Sequence, residues 1–433
     1  MESIWREAQG LSGLLTALRR DLHRYPETGW TEFRTAGLVI TELRRLGYQV
    51  RFGPEVLDAA SMMGVPAVEE LAAAEKRAIA EGADPELVEA MRGGMTGVVA
   101  TLDGLRPGRT VAFRFDMDAN DVEEARDEGH RPAREGFASR HSGAMHACGH
   151  DGHVAIGLGA ARLLAANRQS LAGRVKLLFQ PAEEGVRGAL AMAKAGAADD
   201  ADYFFGGHIG FGADRSGLFV AMCDGLLATT KLDAAFKGVA AHAGAAPETG
   251  KNALLAAAQA AVSLSTIARH GGGASRINVG VLHAGSGRNV VADSAFMKLE
   301  TRGLTTEIND YMAQEARRML EASARMYDVK LEISEAGSAP SCRPDPELGR
   351  EVAALIREKC GYQEVLEHME LGCSEDCAWF MQRVERLGGR AAYMLYGSEL
   401  ASGHHSSRFD FDEDCLWRSA ASVAEIALFY AGS

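Results

Sequence analysis

Five polar clusters in this 433-residue chain combine side chains that bind transition metals with side chains that carry protons. They are Asp116-Met117-Asp118, the run His146-Ala147-Cys148-Gly149-His150-Asp151-Gly152-His153, Glu183-Glu184 after Gln180-Pro181-Ala182, His208 after Gly206-Gly207, and His404-His405. One thiol, several imidazoles and paired carboxylates form a transition-metal ligand set larger than one tetrahedral ion needs. Two ions sharing a bridging group is the economical reading. The chemistry that follows is hydrolysis: metal coordination makes a water acidic enough to attack at neutral pH, and a carboxylate next to a ligand carboxylate is free to exchange protons. Cys148 is therefore read as a metal thiolate and not as an acyl-forming nucleophile.

Taken singly, each cluster has an ordinary explanation. A lone Asp or His at a strand end is usually a turn or cap residue, and a Glu-Glu pair is usually solvated. This pair, however, follows the apolar run Val175, Leu177, Leu178, Phe179 and then Pro181. Cys373 and Cys377 are four apart with no histidine close by, and read as packing residues. Five clusters together make a purely structural explanation a poor one.

The elements that must position these groups follow from periodicity. Leu14, Leu18 and Leu22 mark a first amphipathic helix, and Thr31–Leu46 a second. Residues 55–95 look like a helical insert with no legible chemistry. Strands and helices then alternate: strands Gly97–Leu102 and Thr110–Phe115, helix Gly152–Asn167, strand Arg174–Gln180, helix Gly188–Ala195, strand Asp202–Gly206. Continuous apolar strands in this rhythm imply a mostly parallel sheet flanked by helices. Four clusters lie just beyond strand carboxyl ends, the edge where such sheets bind ligands, and the fifth opens the helix at Gly152. After Cys223 the order changes to strand Thr229–Lys237, helix Asn252–His270, strands Arg276–Leu282 and Ser294–Thr301, helix Glu307–Tyr327 and strand Val329–Ile333. This is a split βαβ unit. The expected architecture is an α/β catalytic domain over 1–224 and 340–433, the latter part holding helices Pro346–Lys359 and Glu375–Val384 and strand Arg390–Tyr396, with an inserted α+β domain at 225–339.

Composition narrows the function. Lys plus Arg number 46 against 59 acidic residues, a net charge of −13, and no basic run is interleaved with aromatics, which disfavours nucleic-acid binding. Residues Met1–Arg6 lack the features of a signal peptide, and no apolar run reaches the length of a membrane span, so a cytoplasmic location without membrane attachment is expected. Seven cysteines without framework spacing argue against a disulfide scaffold.

Asp116-Met117-Asp118-Ala119, the Cys148-Gly149-His150-Asp151-Gly152-His153 motif, Gln180-Pro181-Ala182-Glu183-Glu184-Gly185, Gly207-His208-Ile209-Gly210 and Ala241-His242-Ala243-Gly244 together resemble the M20 metallopeptidase family, and most of all its amidohydrolase branch. The resemblance implies a catalytic α/β domain with an inserted lid that dimerises. It implies Cys148, His150, Glu184, His208 and His405 as ligands of two divalent ions, Mn or Zn, with His405 selected over His404 by its spacing from Phe409. It further implies Glu183 as general base, Asp118 as a carboxylate steadying a ligand, and His242, Asn289 and Arg302 as lid residues that reach the substrate. Arg288 is a further candidate for a substrate carboxylate. The implied activity is hydrolysis of the amide of an N-acyl amino acid, with p-aminobenzoyl-glutamate ahead of hippurate-like or indoleacetyl-amino acids. The implied assembly is a homodimer or a pair with a homologous second subunit; the rival of another class is a catalytically silent partner subunit.

Overall fold

The computed structural model describes residues 2–359 and 361–432. The chain divides into two compact units, Met1–Asp224 with Arg343–Leu371 and Asp376–Ser433, and Gly225–Cys342 with Gly372–Glu375.

The first unit is built on an eight-stranded sheet. In spatial order its strands are Gln49–Phe52, Val98–Asp103, Ala172–Gln180, Arg106–Asp116, Tyr203–Ile209, Arg390–Tyr396, Leu218–Val220 and Glu364–Leu366. The four central strands, from Ala172–Gln180 to Arg390–Tyr396, are parallel, and antiparallel pairings occur only outside them. Asp116 lies in register with Gln180, and Ile209 with Tyr396, so the chemistry-bearing strand ends share one edge. Phe113, Phe115, Leu177, Phe179 and Phe205 bury one sheet face in the main core with helix His150–Ala166 and helix Cys415–Ala431. Phe204, on the opposite face, stacks on Phe380 of helix Ala378–Arg386. Helix His150–Ala166 sits close to the sheet because it lacks side chains where contact is tightest: a Cβ on Gly157 would come within 2.8 Å of Phe115 and 2.9 Å of Phe179. The 55–95 insert holds helices Val68–Ala80 and Pro85–Ala90, the second begun by Asp84 accepting from the Glu86 amide. Its Ala74, Ala78, Leu87 and Val88 join the same core as Phe33, Ala36 and Ile40 of helix Phe33–Arg45.

The second unit is a four-stranded antiparallel sheet in the order Ser275–Ala284, Ser294–Gly303, Ala228–Lys237, Lys330–Ala339. Helices Ala253–Ser265 and Thr306–Met326 cover one face, where Leu232, Ala234, Phe236, Met297 and Leu299 meet Ala256, Ala260, Met312 and Leu320. Asn252 and Thr305 cap these helices through the Leu255 and Ile308 amides.

Three of the differences from expectation have an evident physical reason. The helix starting after Asn252 ends at Ser265 and not His270, because the Ser265 and Thr266 hydroxyls bond back to the Val262 and Ser263 carbonyls and compete with helix continuation. The helix expected from Glu375 starts at Ala378, since the buried Asp376 carboxylate instead accepts from Gly188 and Ala189 amides. The terminal helix Cys415–Ala431 is unheralded by amphipathic spacing because it is buried on nearly every side. Among the described residues no helix is long and apolar enough to cross a membrane.

Candidate metal centre

Asp118 leaves the end of strand Arg106–Asp116 and organises the loop that carries the two glutamates. Its carboxylate accepts from the Glu183 and Glu184 amides, each at 2.9 Å, and its carbonyl takes His150 Nδ1 at 2.8 Å. Glu32, legible in no sequence motif, adds to this by accepting from the Ala182 amide at 2.8 Å, at a residue with φ of +50°. Burial and the nearby Asp118 charge raise Glu32 to about 8.

The imidazoles are held in defined tautomers. Because Nδ1 of His150 donates to a carbonyl, Nε2 is the nitrogen whose lone pair a cation can take in exchange for a proton, and that buried atom has no hydrogen-bond partner. His208 Nδ1 donates to the Ile209 carbonyl at 2.7 Å, which leaves Nε2 as the free nitrogen, 3.4 Å from Cys148 Sγ. Ile209 is held in turn by His153, whose Nε2 accepts the Ile209 amide at 2.9 Å while Nδ1 donates to Asp116 at 2.5 Å. His153 is thus saturated and serves to position its neighbours. His146 is buried with neither ring nitrogen bonded and belongs to none of the ligand groups.

Among the groups of side chains close enough to hold an ion, two trios share one sulfur, Cys148 with His150 and His208, and Cys148 with Glu184 and His405; Glu183 also groups with His150 and Glu184. His405 Nε2 lies 3.3 Å from Glu184 Oε1. Its backbone has φ of +62° and its amide donates to the Ala147 carbonyl at 2.7 Å, which turns the ring to this side. His404 points elsewhere: Nε2 meets the Ile209 carbonyl at 3.1 Å and the ring stacks on Phe211. Glu183 sits beside the trios with 13% of its side chain exposed, Oε2 3.9 Å from His150 Nε2.

The electrostatics is that of a cation site. Burial and the Glu184, Glu183 and Asp116 charges push the Cys148 thiol well above its ordinary range. Burial opposes protonation of His150, yet Asp116, Asp118 and Glu184 prevail and raise it to about 10. Glu184 is depressed to about 2, its burial overcome by His405 and His150. A thiol, a carboxylate and imidazole lone pairs in surplus negative charge fit a divalent transition metal.

In the second unit, the short strand Ala241–His242 pairs with Val290–Val291, and the Ala243 amide donates to the Asn289 carbonyl at 2.9 Å, so His242 and Asn289 are neighbours. His242 is exposed; Nδ1 accepts from the Gly244 and Ala245 amides, which places its proton on Nε2 as an outward donor. Arg302 lines a cavity of about 390 Å³ with Arg269, Ser275, Arg276, Asn278 and Glu300 among others. Arg288 is exposed in the preceding loop and does not line this cavity.

A parallel-centred α/β sheet presenting thiol, imidazole and carboxylate groups of metal-ligand type at one edge, with a second glutamate beside them, is the arrangement of a metal-dependent hydrolase. Residues 112–428 match the peptidase family M20/M25/M40, and the chain belongs to that family. It is 48% identical to a p-aminobenzoyl-glutamate hydrolase subunit of Escherichia coli over 99% of this chain and 98% of that protein. It is 50% identical to indole-3-acetyl-aspartic acid hydrolase of Enterobacter agglomerans over 96% of this chain and 95% of that one. The crystal structure of an aminobenzoyl-glutamate utilization protein from Klebsiella pneumoniae superposes with a TM-score of 0.84 at 42% identity, covering 98% of this chain and 97% of that one. The chain is a hydrolase of the M20 type.

Proposed function

We propose that this enzyme hydrolyses the amide bond of p-aminobenzoyl-glutamate to p-aminobenzoate and glutamate. The observation that carries the reading is the juxtaposition of Glu183 with two ligand trios sharing Cys148, in a chain 48% identical to a p-aminobenzoyl-glutamate hydrolase subunit. Two divalent ions, Zn or Mn, would be held by Cys148, His150, Glu184, His208 and His405. Such ions supply an acidified water as nucleophile and positive charge for the oxyanion. Glu183 takes the water's proton and delivers it to the departing amine nitrogen, while Asp118 keeps both glutamates in place through their amides. His242 of a partner subunit, identical or homologous, offers Nε2–H to the developing oxyanion, with Asn289 beside it. Arg302 takes a carboxylate of the amino-acid portion.

Metal analysis after reconstitution should find two ions per chain. Cys148→Ser should lower both, since the sulfur belongs to both trios; a content that never exceeds one ion under excess Zn²⁺ or Mn²⁺ defeats the dinuclear arrangement. Arg302→Ala should raise KM for p-aminobenzoyl-glutamate at least ~10-fold, as expected when a charge-assisted bond to a carboxylate is lost. The α-carboxamide analogue should change far less, and equal effects on both would remove Arg302 from carboxylate binding.

The 50% identity to an indole-3-acetyl-aspartic acid hydrolase favours indoleacetyl-aspartate as a second substrate. Hydrolysis rates over a panel of p-aminobenzoyl-, benzoyl- and indoleacetyl-amino acids test both readings, and no turnover of p-aminobenzoyl-glutamate by metal-loaded protein rejects the first.

A further inference from the structure

The helix-free face of the second unit carries a charge arrangement at odds with the rest of this anionic chain. Arg276 and Arg302 are register partners on adjacent antiparallel strands, so their side chains project from the same face, directly opposite one another. Like charges in that relation destabilise a sheet. Arg302 is compensated by Glu300 at 2.9 Å, but Glu300 is also engaged by Lys231 at 2.9 Å. Arg276 is exposed and, among the described residues, its side chain has neither an ion pair nor a hydrogen bond. Arg269, at the same cavity, spends one nitrogen on the Ile267 carbonyl at 3.0 Å and meets no acid among the described residues. Three arginines and one glutamate thus line a cavity of about 390 Å³, in which Asn278 adds an amide. Its net charge is positive in a protein of net charge −13.

We propose that Arg276, assisted by Arg269, binds the side-chain carboxylate of an acidic amino acid whose other carboxylate is held by Arg302, and so selects N-acyl dicarboxylic amino acids over monocarboxylic ones. The inference rests on the activity proposed above and extends it from one carboxylate to two. A forked guanidinium suits a carboxylate better than a lysine ammonium does, because it offers two parallel donors at fixed spacing. A dicarboxylate between Arg276 and Arg302 also removes the repulsion between the two guanidinium groups.

The test uses the full-length, metal-loaded chain and its Arg276→Gln and Arg276→Lys variants. kcat/KM is measured on p-aminobenzoyl-glutamate and p-aminobenzoyl-glutamine, and binding of L-glutamate and L-glutamine by calorimetry. The wild type should prefer the acid over the amide in both measurements. Arg276→Gln should reduce that preference at least ten-fold, with Arg276→Lys in between. The melting temperature of Arg276→Gln should hold or rise, since a like-charge pair is relieved, whereas a merely structural arginine would lower it. A wild type without preference, a preference that survives Arg276→Gln, or an equal loss on acid and amide each overturns the proposal. If neither substrate turns over but the glutamate preference in binding is lost in Arg276→Gln, the hydrolase reading fails and the dicarboxylate site stands.

Discussion

Replacing Glu183 by Gln is expected to lower turnover by about 10²–10⁴-fold, the usual worth of a positioned general base, while metal content stays at the wild-type level. The substitution keeps shape and the backbone bond from the Glu183 amide to Asp118, and removes only the capacity to accept and return a proton. Glu183, with 13% of its side chain exposed, lies next to His150 and groups with His150 and Glu184, but stands outside both trios that share Cys148. Its neighbour should behave otherwise. Glu184 is grouped with Cys148 and His405, and Glu184→Gln exchanges an anionic ligand atom for a neutral amide, so metal content itself should fall. Metal analysis and single-turnover rates on the two variants decide the matter. Identical metal contents with identical residual rates would show that base and ligand have been assigned to the wrong members of the pair.

His242→Ala should cost about 10²–10³ in kcat, the typical worth of one oxyanion donor. The imidazole is prepared for that role by its two backbone donors at Nδ1, which leave Nε2–H facing outward from an exposed turn. Because the proposed donor acts on the site of a partner subunit, His242→Ala and Glu183→Gln impair different halves of a composite site. Mixing the two variants under conditions of subunit exchange should restore part of the activity, since some mixed dimers contain one site with both groups intact. Demonstrated exchange with no recovery of activity would exclude action across the interface. Loss of folding does not confuse the result, because an unfolded variant forms no mixed dimer.

Much of this molecule is legible along the chain because the relevant signals are local. The apolar runs at Val175–Phe179 and Ala391–Leu395 announce strands, and the polar residues immediately after them announce a shared edge, since parallel strands place like ends together. Asn252 and Thr305 declare helix starts through bonds that span three residues. The ligand types of Cys148, His150, Glu184, His208 and His405 name the chemistry before any geometry is known, because thiolate, imidazole and carboxylate have few other reasons to accumulate at one edge.

Tertiary structure decided what depends on partners far apart in sequence. Spacing could suggest His405 over His404, but the division of labour comes from the Ala147 and Ile209 carbonyls, which hold the backbone of one and the ring of the other. Which nitrogen of His150 or His208 is free depends on a carbonyl bonded to the opposite ring atom. The resemblance marks Asp118 as a carboxylate that steadies a ligand, but the means is visible only once Glu183 and Glu184, some 65 positions later, are seen to donate both amides to it. Helix Cys415–Ala431 escaped periodicity because burial on nearly every side erases the polar stripe on which periodicity depends. The opposition of Arg276 and Arg302 exists only in the strand register, which is set by long-range pairing and the helix-covered apolar face, and no local pattern in either strand encodes it.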